Sequence, residues 1–156
     1  ITAGATAPTV ENAPADADSG LTYEEGTCTL TTTGHTGTLT VNTSIDTLLY
    51  TKIGRVVHVQ GNIGFSAASG HSGDLHFTGL PFVSVTGTDE SSEYPAVNAY
   101  VESLASAIDG YVSGLIDTNT DDIYLREGGI TGDGADLVNH IDTGTSIKFQ
   151  ITYFAT

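Results

Sequence analysis

The chain has 156 residues, the size of one domain, which is long enough to bury a hydrophobic core without disulfides or metals. Its 4 basic and 19 acidic residues give a net charge of −15, which argues against nucleic acid and anionic membranes as partners, because both attract Lys and Arg. No apolar run reaches the roughly 18 residues that a membrane span requires, and solubility or adaptation to salty water explains the acidity.

The first segment, Ile1–Gly20, is rich in Ala, Pro, Thr and Asp and has no periodic apolar pattern. Such a composition buries too little apolar surface to offset the entropy lost on ordering. We therefore predict an extended N-terminal arm that becomes ordered only on another surface. Residues 21–156 form the predicted folded domain.

After the arm, short alternating runs separated by turn residues are typical of an all-β domain. Two Thr-rich runs flank the segment Gly34–Gly37 and predict an early hairpin there. In the run that follows Arg55, apolar side chains alternate with polar ones, so one face of a strand is predicted to carry Val57, Val59 and Ile63.

The segment Ser66–Gly73 consists of small residues and His, and it predicts a flexible turn between two strands. Just beyond it, Leu75 and Phe77 are predicted to point inward and His76 outward. Cys28 is the single cysteine and lies in a Thr-rich run, so we predict a packed, unreactive thiol without an intrachain disulfide.

The C-terminal part continues the β pattern. The segment Ala96–Gly110 has both helical and strand spacing, and we favour a strand because its neighbours are strands. Further strands are predicted over residues 111–117, 121–127 and 146–154, with one helical turn at residues 136–141. In the last strand one face carries Ile147, Phe149, Ile151 and Tyr153. Together these elements predict an antiparallel, jelly-roll-like β-sandwich with an extended N-terminal arm.

One stretch, Tyr50–Phe82, carries a distinctive combination of residues. The combination comprises Tyr50, Lys52, Ile53, Gly54, Val56, Val57, Val59, Gly61, Ile63, Gly73, Leu75, Gly79, Leu80, Pro81 and Phe82. It resembles the β-sandwich domains of bacteriophage virion surface proteins, such as head-decoration proteins and tail-fibre ends. The closing segment SIKFQITYFAT resembles the final strand of such domains.

The resemblance implies a structural role on the exterior of a virion. The favoured role is that of a head-decoration protein, which would form a homotrimer and bind the major capsid protein or other virion proteins. The alternative is a tail-fibre or receptor-binding tip, in which the loops Ser66–Gly73 and Thr86–Tyr94 would contact a host glycan or protein. Neither role requires a cofactor.

Catalysis is not predicted. The chain has no G-x-S-x-G elbow, and the nearest segment, GHSGD at residues 70–74, lacks its spacing. Candidate carboxylates for glycoside hydrolysis lie in turn-like, solvated segments, namely Glu24, Glu25, Asp89, Glu90 and Glu93. We therefore expect no enzymatic activity, and an enzyme acting on polysaccharide is kept only as a third alternative.

Asp117, Asn119 and Asp121 occupy alternate positions, as calcium ligands do in a loop. The rest of the EF-hand pattern is missing, because Asp122 stands where Gly is needed and Gly128 where the closing Glu is needed. These residues are therefore candidate calcium ligands only, and chance clustering in an acidic chain is the favoured explanation.

Three of the cations, Arg55, Arg126 and Lys148, are predicted to point outward from strands, as is His58. They are candidates for contact with a partner subunit, and the other explanation for the cations is local ion pairing, which contributes little to stability. His58 and His76 are expected on strands that could be neighbours, although two His residues alone do not complete a metal site.

Overall fold

The computed structural model describes residues 22–86, 94–108, 110–129, 132–135 and 137–156. The predicted arm, Ile1–Gly20, lies outside these ranges, as does most of the predicted loop Thr86–Tyr94.

The described chain is all-β, as the alternating pattern predicts. Its strands are β1 (Tyr23–Thr29), β2 (Thr31–Val41), β3 (Thr47–Ile53), β4 (Val56–Thr78), β5 (Ala96–Glu102), β6 (Tyr111–Ile116), β7 (Ile123–Gly129), β8 (Gly132–Ala135) and β9 (Ser146–Phe154). One turn of 3-10 helix, Leu137–His140, lies where the sequence predicts a helical turn. The segment Ala96–Gly110, whose spacing fits both a helix and a strand, begins with β5, so the strand prediction is confirmed over Ala96–Glu102.

All strand pairs are antiparallel, and the order of pairing closes a five-stranded barrel. The ring runs β4–β9–β5–β6–β7 and returns to β4. Strands β3 and β1 extend the sheet beside the first half of β4, β2 pairs with its second half, and β8 pairs with β7. The antiparallel all-β prediction is thus confirmed, but the strands form a barrel with extra strands instead of a clear jelly-roll sandwich.

The long strand β4 makes this closure possible, and it corrects two predictions. No flexible turn occurs at Ser66–Gly73, because β4 runs through it without interruption. No hairpin occurs at Gly34–Gly37 either, because β2 continues through these glycines and pairs with β4. The pairing of β2 with β4 shifts register at each of these two glycines. Both Gly34 and Gly37 have positive φ, which glycine adopts easily.

The core forms where the inward faces of the strands meet. The residues predicted to share inward faces on β4 and β9 are all buried, with Val57, Val59 and Ile63 fully so. The other inward residues predicted on these two strands are also buried, namely Leu75, Phe77, Ile147, Phe149, Ile151 and Tyr153. The Tyr153 hydroxyl donates a hydrogen bond to the Phe82 carbonyl at 2.8 Å, which satisfies its polar atom inside the core.

Two smaller features complete the fold, and the second, the packing of Cys28, matches the sequence prediction. Gly54 has a positive φ and closes the tight turn that joins β3 to β4. Cys28 is half-buried beside the core, and burial raises the pKa of its thiol to about 11, which disfavours the reactive thiolate.

Candidate functional site

The strands β1–β3–β4–β9–β5 form a continuous five-stranded sheet with one outward face. Because side chains alternate along each strand, residues paired across strands form straight rows on this face. The first two rows are Tyr23–Ile53–Val56–Phe154 and Glu25–Thr51–His58–Thr152. The third is Thr27–Leu49–Gln60–Gln150–Asn98. The fourth consists of the paired residues Asn62–Lys148–Tyr100, with the pair Thr29–Thr47 at the end of β3 beside them. We call this surface the sheet face.

The first row of the sheet face is wholly apolar or aromatic. The side chains of Tyr23, Ile53, Val56 and Phe154 are between 39 and 55% exposed, although each lies in a regular strand. A contiguous exposed apolar row of this kind marks an interaction surface more often than scattered single residues do.

Among the described residues, the outward positions of β3, of β9 and of the first part of β4 carry no carboxylate. The residues at these positions are Thr47, Leu49, Thr51, Ile53, Val56, His58, Gln60, Asn62, Gly64, Ser146, Lys148, Gln150, Thr152 and Phe154. Acidic side chains enter only on the outermost strands, as Glu25 on β1 and Glu102 on β5. In a chain with 19 acidic residues, an acid-free surface of this extent is a distinct chemical feature.

The third and fourth rows enclose a shallow groove of about 670 Å³. Its floor carries the amides of Gln60, Gln150 and Asn98, and within the described chain these side chains make no hydrogen bond of their own. Tyr100 forms one wall, and the Lys148 ammonium lies 5.7 Å from its ring centroid while pairing with Glu102 at 2.6 Å. The groove therefore offers free amide donors and acceptors beside an exposed aromatic ring.

A second concavity, of about 330 Å³, lies on the other side of the barrel, between Tyr94, Tyr124 and Arg126. His76 packs against the Tyr124 ring with centroids 3.7 Å apart, and its Nε2 is 3.7 Å from the Asp74 carboxylate. Burial lowers the pKa of His76, although nearby carboxylates oppose this effect. Burial also raises the pKa of the Tyr124 hydroxyl.

The candidate calcium ligands lie around the loop between β6 and β7, where the two aspartates accept hydrogen bonds from the protein itself. The Asp121 carboxylate accepts hydrogen bonds from the Thr78 hydroxyl and the Gly79 amide, and Asp117 accepts one from the Thr118 amide. Asn119 has a positive φ, as a turn residue does. Among the described residues, no group of three or more His, Cys, Asp or Glu side chains is placed to hold a metal ion.

Each predicted interface cation has a local partner. Arg55 lies in the β3–β4 turn, not in a strand, and its Nε donates to the Ala155 carbonyl at 3.0 Å. Arg126 is 3.8 Å from Asp74, and Lys148 pairs with Glu102. These contacts fit the local-pairing explanation while leaving Arg126 and Lys148 half-exposed.

His58 lies at the centre of the sheet face, where its Nδ1 is 3.0 Å from the Thr152 hydroxyl. His76 lies on the same strand, β4, beyond its middle, and contacts β7 instead. The expectation that these two histidines lie on neighbouring strands is therefore wrong, since β4 is one long strand and the predicted turn between them does not exist.

One polar cluster was not anticipated from the sequence. The Ser106 hydroxyl lies 2.8 Å from Nδ1 of His140, and Nε2 of the same imidazole lies 3.0 Å from the Glu127 carboxylate. The three residues come from the loop after β5, the 3-10 helix and β7. No local spacing signals such a cluster, because only the barrel brings these distant segments together.

Comparisons with known proteins add no assignment, since the chain matches no family model, no curated protein and no solved structure. Within the described residues, no helix has the length and apolar character needed to cross a membrane.

Proposed function

We propose that the protein is a structural component of a virion surface, most simply a head-decoration protein, and that copies of it associate through the sheet face. The resemblance of Tyr50–Phe82 to virion surface domains supports the location. The acid-free centre of the sheet face is the single observation that supports the mode of assembly.

The occupant proposed for the sheet face is a second copy of this chain, and electrostatics is the reason. Two molecules of net charge −15 repel each other, and carboxylates brought within about 8 Å are only partly screened at physiological salt. The electrostatic repulsion that opposes self-association is therefore smallest where both contacting surfaces lack acidic side chains. The central strands of the sheet face meet this requirement.

The apolar row supplies the attraction. Tyr23, Ile53, Val56 and Phe154 together form an exposed apolar strip across four strands, which lies on one straight line. Burying such side chains gives roughly 25 cal/mol per Å² of apolar area. A closed symmetric oligomer, such as the trimer that the resemblance implies, would bury this strip on every subunit.

The test places a carboxylate in the row. Ile53→Asp should weaken self-association at least about tenfold, because a buried charge costs more than the roughly 1.4 kcal/mol that corresponds to a factor of ten. Thr38→Asp adds the same charge to an exposed position on β2 and serves as the control. Sedimentation equilibrium of the full chain at several concentrations measures the effect.

The control variant should associate as the wild type does. The proposal is contradicted if the wild-type chain stays monomeric at high micromolar concentration, or if Ile53→Asp and Thr38→Asp associate equally.

A second candidate function, a receptor-binding tip, is favoured by the groove on the sheet face. Free amides of Gln60, Gln150 and Asn98 beside the Tyr100 ring suit the hydroxyls and apolar faces of a neutral saccharide. Counting copies per particle by quantitative mass spectrometry separates the two roles, since a decoration protein should be abundant and a tip scarce.

A further inference from the structure

We propose that Ser106, His140 and Glu127 form a nucleophilic site at which Ser106 attacks neutral esters. The Ser106 hydroxyl is 2.8 Å from His140, and the opposite nitrogen of that imidazole is 3.0 Å from Glu127. A hydroxyl bonded to a base that is itself oriented by a third group is the arrangement that activates serine nucleophiles. The site uses none of the residues of the sheet face.

Burial decreases from Glu127 through His140 to Ser106, so the carboxylate is sheltered from water while the nucleophile is accessible. The side chain of Glu127 is 6% exposed and that of His140 is 22% exposed, whereas Ser106 lies at the surface. A carboxylate in this sheltered position interacts more strongly with the imidazole than it would in water. The hydroxyl remains open to an incoming substrate.

The backbone holds the loop that presents Ser106. The amide of Ala105 donates to the His140 carbonyl at 2.8 Å, which ties this loop to the end of the 3-10 helix. The two hydrophobic residues of that helix, Leu137 and Val138, are buried and fix the helix against the core. The base is therefore held by a packed helix, and a backbone hydrogen bond ties the loop that carries the nucleophile to the end of that helix.

The contacts assign one tautomer for the resting site. Nε2 carries the proton and donates a hydrogen bond to the Glu127 carboxylate, so Nδ1 is free to accept the hydrogen bond of the Ser106 hydroxyl. Glu127 is thus a positioning residue, which fixes the ring and stabilises the imidazolium that forms during the reaction.

The chemical step conserves atoms and charge. The Ser106 oxygen bonds to the carbonyl carbon of the ester while its proton moves to Nδ1 of His140. The carbon–oxygen bond to the alcohol then breaks, and the departing alkoxide takes that proton. Water repeats the sequence on the acyl-serine, which releases a carboxylic acid and restores the hydroxyl. No oxidant, metal or further reactant is consumed.

The charge of the chain narrows the substrate class. A net charge of −15 repels anionic esters, so neutral esters, including O-acyl groups on saccharides, are the class that the site accepts best.

The test uses a fluorophosphonate probe on the full chain, with intact-mass detection of one added group. Wild-type protein should be labelled once per chain, and Ser106→Ala should lose the label. Ser44→Ala removes another exposed serine and should react like the wild type. His140→Ala should react about 100-fold more slowly, as expected when a general base is lost.

Chemical rescue separates catalysis from a purely structural role. Added imidazole should restore part of the labelling rate of His140→Ala, and Glu127→Gln should be slowed while its near-ultraviolet circular dichroism matches the wild type. An unlabelled wild-type chain, equal labelling of Ser106→Ala, or a folded His140→Ala that reacts at the wild-type rate would each overturn the proposal. Because none of these variants touches the sheet face, the self-association measurement stays an independent test.

Discussion

The His76 side chain shows how one partly buried group makes stability depend on pH. Burial lowers its pKa below the ordinary value of 6.5, so below that pH the unfolded chain binds more protons than the folded one. Stability is therefore complete above pH 6.5 and is lost as the pH falls toward the lowered pKa. The loss from one such group does not exceed about 1.4 kcal/mol per pH unit.

His76→Phe tests this dependence, because a phenyl ring keeps the packing against Tyr124 but cannot take up a proton. Chemical denaturation at pH 7.5 and pH 5.5 should show a smaller loss of unfolding free energy in the variant than in the wild type. An equal loss in the two proteins would mean that other groups set the acid sensitivity.

At the scale of elements, the ladder between β2 and β4 depends on glycine at a few positions. Gly37 has φ of 71°, and a Cβ there would lie 2.3 Å from the Gly70 carbonyl oxygen. Gly70 has φ of 57°, but a Cβ there would meet nothing within 4 Å. The pair therefore separates backbone strain, which both positions share, from steric overlap, which only Gly37 has.

Gly70→Ala should cost about 1 kcal/mol from the left-handed conformation alone. Gly37→Ala should cost an additional 1–3 kcal/mol, roughly, because the backbone of β4 must move. Urea unfolding of both variants measures the difference. Equal costs would show that the ladder relaxes freely at Gly37.

The same ladder explains which elements the sequence could predict. Strands β4 and β9 carry regular alternation, and their inward residues, such as Val59 and Ile151, were predicted correctly. The glycines at positions 34, 37, 70 and 73 are ordinary turn signals, yet here they lie within paired strands. Pairing over the length of β2 outweighs the local preference for a turn, and no short window of sequence contains that information.

The functional clusters were less predictable for a related reason. The sheet face needs the register of β1, β3, β4, β9 and β5, which the sequence does not specify. The site at Ser106, His140 and Glu127 needs the closure of the barrel. What the sequence did predict is the outward orientation of His58 and Lys148, because that follows from alternation within a single strand.

At the scale of the whole molecule, the proposed oligomer and the proposed saccharide groove are coupled through valency. The groove is shallow and open, so one copy should bind a neutral glycan weakly. Several grooves on one assembly raise the effective concentration of each later contact, which strengthens binding to a surface that displays many glycans. The apolar row and the groove lie on different rows of the same face, so both act together when the contact between copies is confined to the apolar row and leaves the groove open.

Three variants separate these effects on a glycan-coated sensor surface. Tyr100→Ala should weaken binding both to the surface and to free glycan, because it removes the aromatic wall of the groove. Ile53→Asp should lower binding to the surface by at least about 100-fold through lost valency, while its affinity for free glycan stays unchanged. Tyr111→Ala is the matched control, since Tyr111 on β6 is 62% exposed and Tyr100 is 63% exposed. If Tyr100→Ala and Tyr111→Ala bind alike, the groove is not the glycan site; if Ile53→Asp keeps full surface binding, the oligomer does not supply the avidity.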